Sequence, residues 1–134
     1  MKTYFVVTGV VKHKDKILIL KKAPDDRNYP NKWSFCSGFV KEFEAGEDTA
    51  LREIKEETGL NAKITKTGEI IEVIDENNRE HPKKWVIAVY LCETGSTDVK
   101  LCHENVEFKW VKKEELGNYD FVPGITQDFR NFFL

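Results

Sequence analysis

The chain is poor in the features that would tie it to an oxidising compartment, a bilayer or a nucleic-acid duplex. Its three cysteines, Cys36, Cys92 and Cys102, are widely spaced and form no C-x-x-C pair. Neither a disulfide framework nor a zinc site is indicated, and a reducing cytoplasm is the expected setting. No apolar run approaches the roughly 20 residues that cross a bilayer, and Met1–Val7 leads straight into strand-like sequence without the apolar segment and cleavage site of a secretion signal. An excess of one charge is missing too. The 21 Lys and Arg against 23 Asp and Glu leave a formal −2, which offers no footprint for duplex nucleic acid or a membrane surface. Small anionic ligands remain compatible, because they need only a local positive pocket or a metal. Repeats and low-complexity linkers are absent, so residues 1–134 are expected to form one domain with one core.

What is present is a regular alternation of apolar patterns. Residues 4–12 and 16–22 are β-branched or aliphatic runs parted by His13-Lys14-Asp15, which predicts a hairpin. Ala23–Lys32, with two prolines, reads as a surface loop, and a short strand through Trp33–Phe35 leads to Gly38. The period turns helical from about Gly46 to Thr58, with Gly59 where a helix C-cap is expected. Strands are predicted near 62–75, 84–93 and 106–112, and Ile125, Phe129, Phe132 and Phe133 share a face of an amphipathic helix over 124–134. Strands, helix, strands, helix implies an α/β (α+β) layered domain: a mixed sheet with helices on its faces.

The predicted helix over 46–58 carries the chemistry. At about 100° per residue, Glu53, Glu56 and Glu57 share one arc and Ala50, Leu51, Ile54 and Thr58 the adjoining one, so carboxylates are expected opposite a buried side. Like charges at i, i+3 and i+4 cost a helix roughly 0.2–0.5 kcal/mol per pair unless something offsets them. A hard divalent cation, held by a few carboxylates together with substrate phosphates, would do so. A solvated acidic face relieved by Arg52 and Lys55 explains the helix alone equally well.

The wider string decides. Gly38-x5-Glu44-x7-Arg52-Glu53-Ile54-x-Glu56-Glu57-x-Gly59-Leu60 matches the Nudix box at every specified position, an agreement expected by chance on the order of once in a billion windows. Trp33 ahead of Gly38, and Trp110-Val111 followed by Glu114-Glu115-Leu116, extend the resemblance over most of the chain. The sequence is therefore identified as a member of the Nudix (MutT-like) hydrolase family. The resemblance implies a mixed sheet between helices, with Mg2+ or Mn2+ held by Glu53, Glu56 and Glu57, and Arg52 and Glu44 orienting those carboxylates. A backbone carbonyl near Ser37 or Gly38 would complete the metal shell. It also implies hydrolysis of a phosphoanhydride bond in a nucleoside diphosphate linked to another moiety, either a nucleoside triphosphate or a nucleotide sugar such as ADP-ribose.

The resemblance implies as catalytic base either Glu53 or a glutamate from a later loop. Glu104, six residues before Trp110, is the candidate for that base or a fourth ligand, with Glu107 next. Cys36-Ser37-Gly38-Phe39 and Lys41-Glu42-Phe43 replace the family's Pro-Gly-Gly, basic residue and Glu-Gly, leaving room for different phosphate contacts. Gly46-Glu47-Asp48 resembles the usual helix entry displaced by three residues, which makes Glu47 an alternative to Glu44, although the spacing to Arg52 favours Glu44. Trp33, Trp85 and Trp110 are expected in the core, and His13, His81 and His103 at the surface. Lys21, Lys22, Arg27 and Lys32 read mainly as solvated charge, and Tyr29 as a candidate ligand contact. The partner is a small-molecule nucleotide, with selectivity in the loops 23–32, 75–84 and 119–126. A homodimer is a family-level expectation. The rival reading is a catalytically silent nucleotide-binding or regulatory module, against which the intact Glu53, Glu56 and Glu57 argue.

Overall fold

The computed structural model describes residues 1–77 and 79–123. The strands are β1 (Lys2–His13), β2 (Lys16–Lys22), β3 (Trp33–Ser34), β4 (Cys36–Phe39), β5 (Ala62–Asp75), β6 (Lys83–Thr94) and β7 (Asn105–Val111), with helix α1 (Gly46–Thr58) between β4 and β5. A 3-10 turn, Lys113–Asn118, follows β7. Its buried Leu116 was legible only as part of the Trp110-to-Leu116 resemblance. The helix expected over 124–134 lies outside the described residues.

The sheet is mixed, in the order β3-β2-β1-β6-β5, with β4 added on β1 and β7 on β2. Parallel pairing of β1 with β6 runs the length of β1, from Lys2 opposite Lys83 to Lys12 opposite Glu93. By contrast β1 and β2 pair only at their hairpin end, Lys12 with Ile17 and His13 with Lys16. Lys14, at φ 55°, makes the turn. The two strands then part, and β4 takes the freed edge of β1 while β3 takes that of β2. The expected strand through Trp33–Phe35 is thus two short strands. Phe35, buried against Phe121 at 5.4 Å between ring centres, is the residue at which the chain crosses from β2 to β1.

Each face of the sheet buries its own apolar cluster. Val10, Ile19, Phe35, Ile87 and Val89 pack on one side. On the other, Val11, Leu18, Leu20 and Cys92 receive Ile54 from α1. Ile54 is fully buried, and burial of such a side chain stabilises by roughly 1.5–3 kcal/mol. That contact fixes the rotation of α1 and therefore the direction in which its glutamates point. Glu47 and Asp48 lie in the first turn and Lys55 in the last, complementing the helix dipole. Gly59, at φ 76°, ends the helix in the left-handed region, donating its N–H to the Lys55 carbonyl. Among the described residues no helix is long and apolar enough to cross a membrane.

Candidate active site

The three box carboxylates differ sharply in environment. Glu57, expected on the polar side of α1, is instead 5% exposed. Its carboxylate accepts the Ser37 N–H at 3.1 Å and has no ion pair among the described residues. Glu53 is partly buried and Glu56 is the exposed member. Desolvation, then repulsion from Glu53, pushes the Glu57 carboxyl up to about 8. Desolvation also raises Glu53. Helical periodicity cannot see this, because the chain that buries Glu57 is β4, brought over α1 by the crossing at Phe35.

Arg52 organises the rest. Its Nε and Nη2 donate to the two oxygens of Glu44 at 2.9 and 3.0 Å. Nη1 donates to Glu53 at 2.8 Å and Glu56 at 3.2 Å, and Nη2 reaches the Phe39 carbonyl at 3.4 Å. Glu44 is itself held by the Thr49 hydroxyl at 2.6 Å, and the Arg52 hydrogen bonds keep its carboxyl at about 2. A bidentate Arg–carboxylate fork of this kind is rigid as well as strong. Of the two alternatives left by the sequence, Glu44 is the one on Arg52; Glu47 is exposed at the start of α1.

Gly38 lies against Glu53. A Cβ added there would come within 2.2 Å of the Glu53 carboxyl carbon. Because the obstructing atoms are the end of a flexible side chain, Gly38→Ala is expected to fold with a melting temperature within a few degrees of the parent. It displaces Glu53 and lowers kcat/KM by about tenfold or more, as expected when a reacting group is misplaced by about 1 Å. Full activity in that variant would show that the position of Glu53 is unimportant.

A cleft of about 660 Å³ opens beside these residues. Val6 and Thr8 of β1, Ser34 of β3 and Ile87 of β6 line it, together with Ser37, Gly38, Phe39 and Glu53. Loop residues Lys22–Tyr29 overhang one side, and His103, Glu104, Val122 and Pro123 another. Glu104 thus shares the cleft with Glu53, and its charge raises the pKa of both Glu53 and Glu57. Glu107 instead sits within β7 opposite Lys21. The Ala23 N–H donates to the Glu104 carbonyl at 3.1 Å, tying the two loops together.

Tyr29, the candidate ligand contact, lines the cleft, donating its hydroxyl to Asp75 at 2.5 Å and accepting the Trp85 indole N–H at 3.1 Å. Trp33 and Trp110 pack as expected, Trp33 buried beside Tyr119 and Trp110 half-buried with its N–H on the Thr97 carbonyl. Trp85 and His103 do not behave as expected. The first is half-buried and packs against the core with one part while lining the cleft with another, and the second lines the cleft rather than the open surface. Lys22 and Arg27 line it also, whereas Lys32 pairs with Asp120 at 2.6 Å. Strand pattern alone carried no signal for Trp85, and His103 was marked only by its neighbour Glu104.

For a divalent cation the residues fit by donor chemistry. Glu53 and Glu104 at the cleft, with Glu57 buried close by, bring carboxylate oxygens, the ligands a hard divalent cation takes, to one region. Among the described residues no three such groups already stand at ligand spacing, and Arg52 pairs with Glu53 and Glu56.

The NUDIX domain family model matches residues 3–131. A protein described as nucleoside triphosphatase NudI of Escherichia coli O81 (strain ED1a) is 29% identical over 136 residues, covering 97% of this chain and 96% of its own. The NudI of Klebsiella pneumoniae (strain 342) is 28% identical over 126 residues, covering 90% and 89%. The crystal structure of a MutT protein from Methanosarcina mazei Go1 superposes with a TM-score of 0.78 at 25% identity, over 98% of this chain and 90% of that one. With the box intact from Gly38 to Leu60, Gly38 and Glu53 at the cleft and a family match spanning nearly the whole chain, the protein belongs to the Nudix family and is a MutT-like Nudix hydrolase.

Proposed function

We propose that the protein hydrolyses the phosphoanhydride bond of nucleoside triphosphates in a reaction dependent on Mg2+ or Mn2+, with nucleotide sugars as the second substrate group. The observation that carries this reading is that Glu53 and Glu104 line one cleft with Tyr29, Phe39 and Trp85, while buried Glu57 lies within electrostatic reach of both carboxylates. The NudI relatives, named as nucleoside triphosphatases, support placing triphosphates first.

Glu53, Glu56, Glu57 and Glu104 would hold the cation, with Arg52, braced by Glu44, fixing the approach of Glu53 and Glu56. When bound, the metal supplies neutralisation of the diphosphate charge and a water of lowered pKa. Glu104 accepts the proton of the attacking water at its carboxylate. Trp85, Tyr29 and Phe39 receive the nucleoside, and Lys22 and Arg27 face its phosphates. The Ala23–Lys32 loop, tied down through Tyr29 to Asp75 and through Asn28 to Lys83 at 2.6 Å, shields the site from bulk water.

The test is a magnesium-dependent hydrolysis screen over nucleoside triphosphates and nucleotide sugars, run beside Glu104→Gln. Loss of a general base typically costs 10²–10⁴-fold, and about a hundredfold lower kcat is expected here. An unchanged rate and metal dependence would return Glu104 to an ordinary loop residue. Silence over the whole panel would defeat the catalytic reading.

A further inference from the structure

Helix α1 covers its face of the sheet only in part. Its first residue, Gly46, sits above Val7 and the Tyr90 hydroxyl, and Ala50 and Ile54 continue over Gly9. The helix thus runs away from the N-terminal ends of β1 and β6. Strand register defines what lies beyond it. Thr3, Lys84 and Ile74 form one row across β1, β6 and β5, Phe5, Val86 and Glu72 the next, and Val7, Ala88 and Ile70 the third, at the border of the helix. Because side chains alternate along a strand, these rows share the face that α1 covers at Gly9. Phe5, Ile70 and Ile74 are 48%, 66% and 57% exposed, whereas Ile87 and Val89, which point the other way from β6, are buried. Ile70-Ile71-Glu72-Val73-Ile74 is apolar toward both faces, the pattern of a strand covered on both. Of these five, only Ile71 and Val73 pack on a core cluster among the described residues.

We propose that this face docks a second copy of the chain, sheet against sheet about a twofold axis. A twofold contact must be self-complementary, and the charges here are. The grid holds one cation, Lys84, and one anion, Glu72, 2.8 Å apart, so rotation can set each against its opposite in the other copy. A strongly charged partner would find no net charge to steer toward. Three strands about 4.8 Å apart and five residues long present on the order of 300 Å², under half of the roughly 800 Å² per partner of a standard interface. Phe43, wholly exposed in the loop that enters α1, extends the apolar surface. A contact of this size is reversible, with a Kd on the order of tens of micromolar. It is independent of the hydrolase reading.

Sedimentation velocity of the full chain, from about 1 µM to a few hundred µM, reads the association directly. The sedimentation coefficient should rise from the monomer value toward that of a dimer over this range. Ile74→Lys, at an exposed position, should keep its melting temperature and weaken the dimer about tenfold or more. Glu72→Lys gathers only cations at the contact and should also weaken it about tenfold, and adding Lys84→Glu should restore it by returning the alternation of charge. A parent that stays monomeric at the highest concentration overturns the proposal. So does a dimer that neither Ile74→Lys nor Glu72→Lys weakens, since it must then form elsewhere on the surface. Should Ile74→Lys unfold, the charge exchange decides alone: recovery of the dimer in the double variant supports the contact, and failure to recover overturns it.

Discussion

Glu57→Gln is expected to lower kcat by about 10³-fold and, in the same protein, to raise the melting temperature measured without metal. Loss of groups that merely orient a metal ligand costs 10–100-fold, and loss of the ligand itself should cost more. The opposite effect on stability follows from burial. Glu57 is nearly inaccessible, its carboxyl is pushed up to about 8, first by desolvation and then by Glu53, and among the described residues the Ser37 N–H is its one hydrogen-bond donor. Folding at neutral pH therefore requires this side chain to take up a proton that it lacks when unfolded. Glutamine has the same shape, keeps an oxygen for the Ser37 N–H and escapes that cost. Steady-state kinetics at saturating magnesium and calorimetry in chelator read the two effects separately. Near-full activity would remove Glu57 from the metal set. A fall in melting temperature would mean that the added amide N–H groups cost more than the charge they replace.

This opposition explains why some of the site was legible before the structure and some was not. The box string identifies Glu44, Arg52, Glu53, Glu56 and Glu57 by spacing alone, and helical period places α1 where it is found. Period counts angle about an axis; it does not register a strand laid across the helix, so the difference between buried Glu57 and exposed Glu56 could not be read. For the same reason the strands were anticipated closely, since alternation is local. The parting of β1 from β2 depends on Phe35 finding Phe121, a contact between residues 86 positions apart, and local patterning contains no trace of it. Trp85 shows the same limit from the other side. A tryptophan in a strand satisfies the pattern equally well facing a core or a cleft, and its orientation is set by Tyr29 and Phe39, which arrive from other parts of the chain. Glu104 could be singled out as a candidate because its sequence position relative to Trp110 resembles the family layout, whereas His103 beside it, which lines the same cleft, had no such marker.

The largest effect on stability is expected from pH and metal together. Between about pH 5 and pH 8 the metal-free protein should become progressively less stable, and magnesium should restore most of what is lost. The sign follows from Glu57. Below about pH 4.5 its carboxyl is protonated in folded and unfolded chains alike. As pH rises the unfolded chain releases the proton while the folded one keeps it until about 8, so deprotonation favours unfolding throughout that window. At about 1.4 kcal/mol per pH unit, the loss is on the order of 4 kcal/mol. Glu53, also raised by burial, adds in the same direction. Glu44 acts oppositely and elsewhere. Held at about 2 by the Arg52 hydrogen bonds, it stabilises the folded chain above its ordinary range, and this is lost only as pH falls from about 4.5 toward 2. A cation on these carboxylates competes with the Glu57 proton, so its affinity, and with it the stabilisation it gives, grows as pH approaches 8. Melting curves in chelator and in magnesium should therefore lie close at pH 5 and separate toward pH 8, and Glu57→Gln should remove most of the separation. Curves that stay parallel across the range would mean that the cation does not displace the Glu57 proton and is held, if at all, by the exposed carboxylates alone.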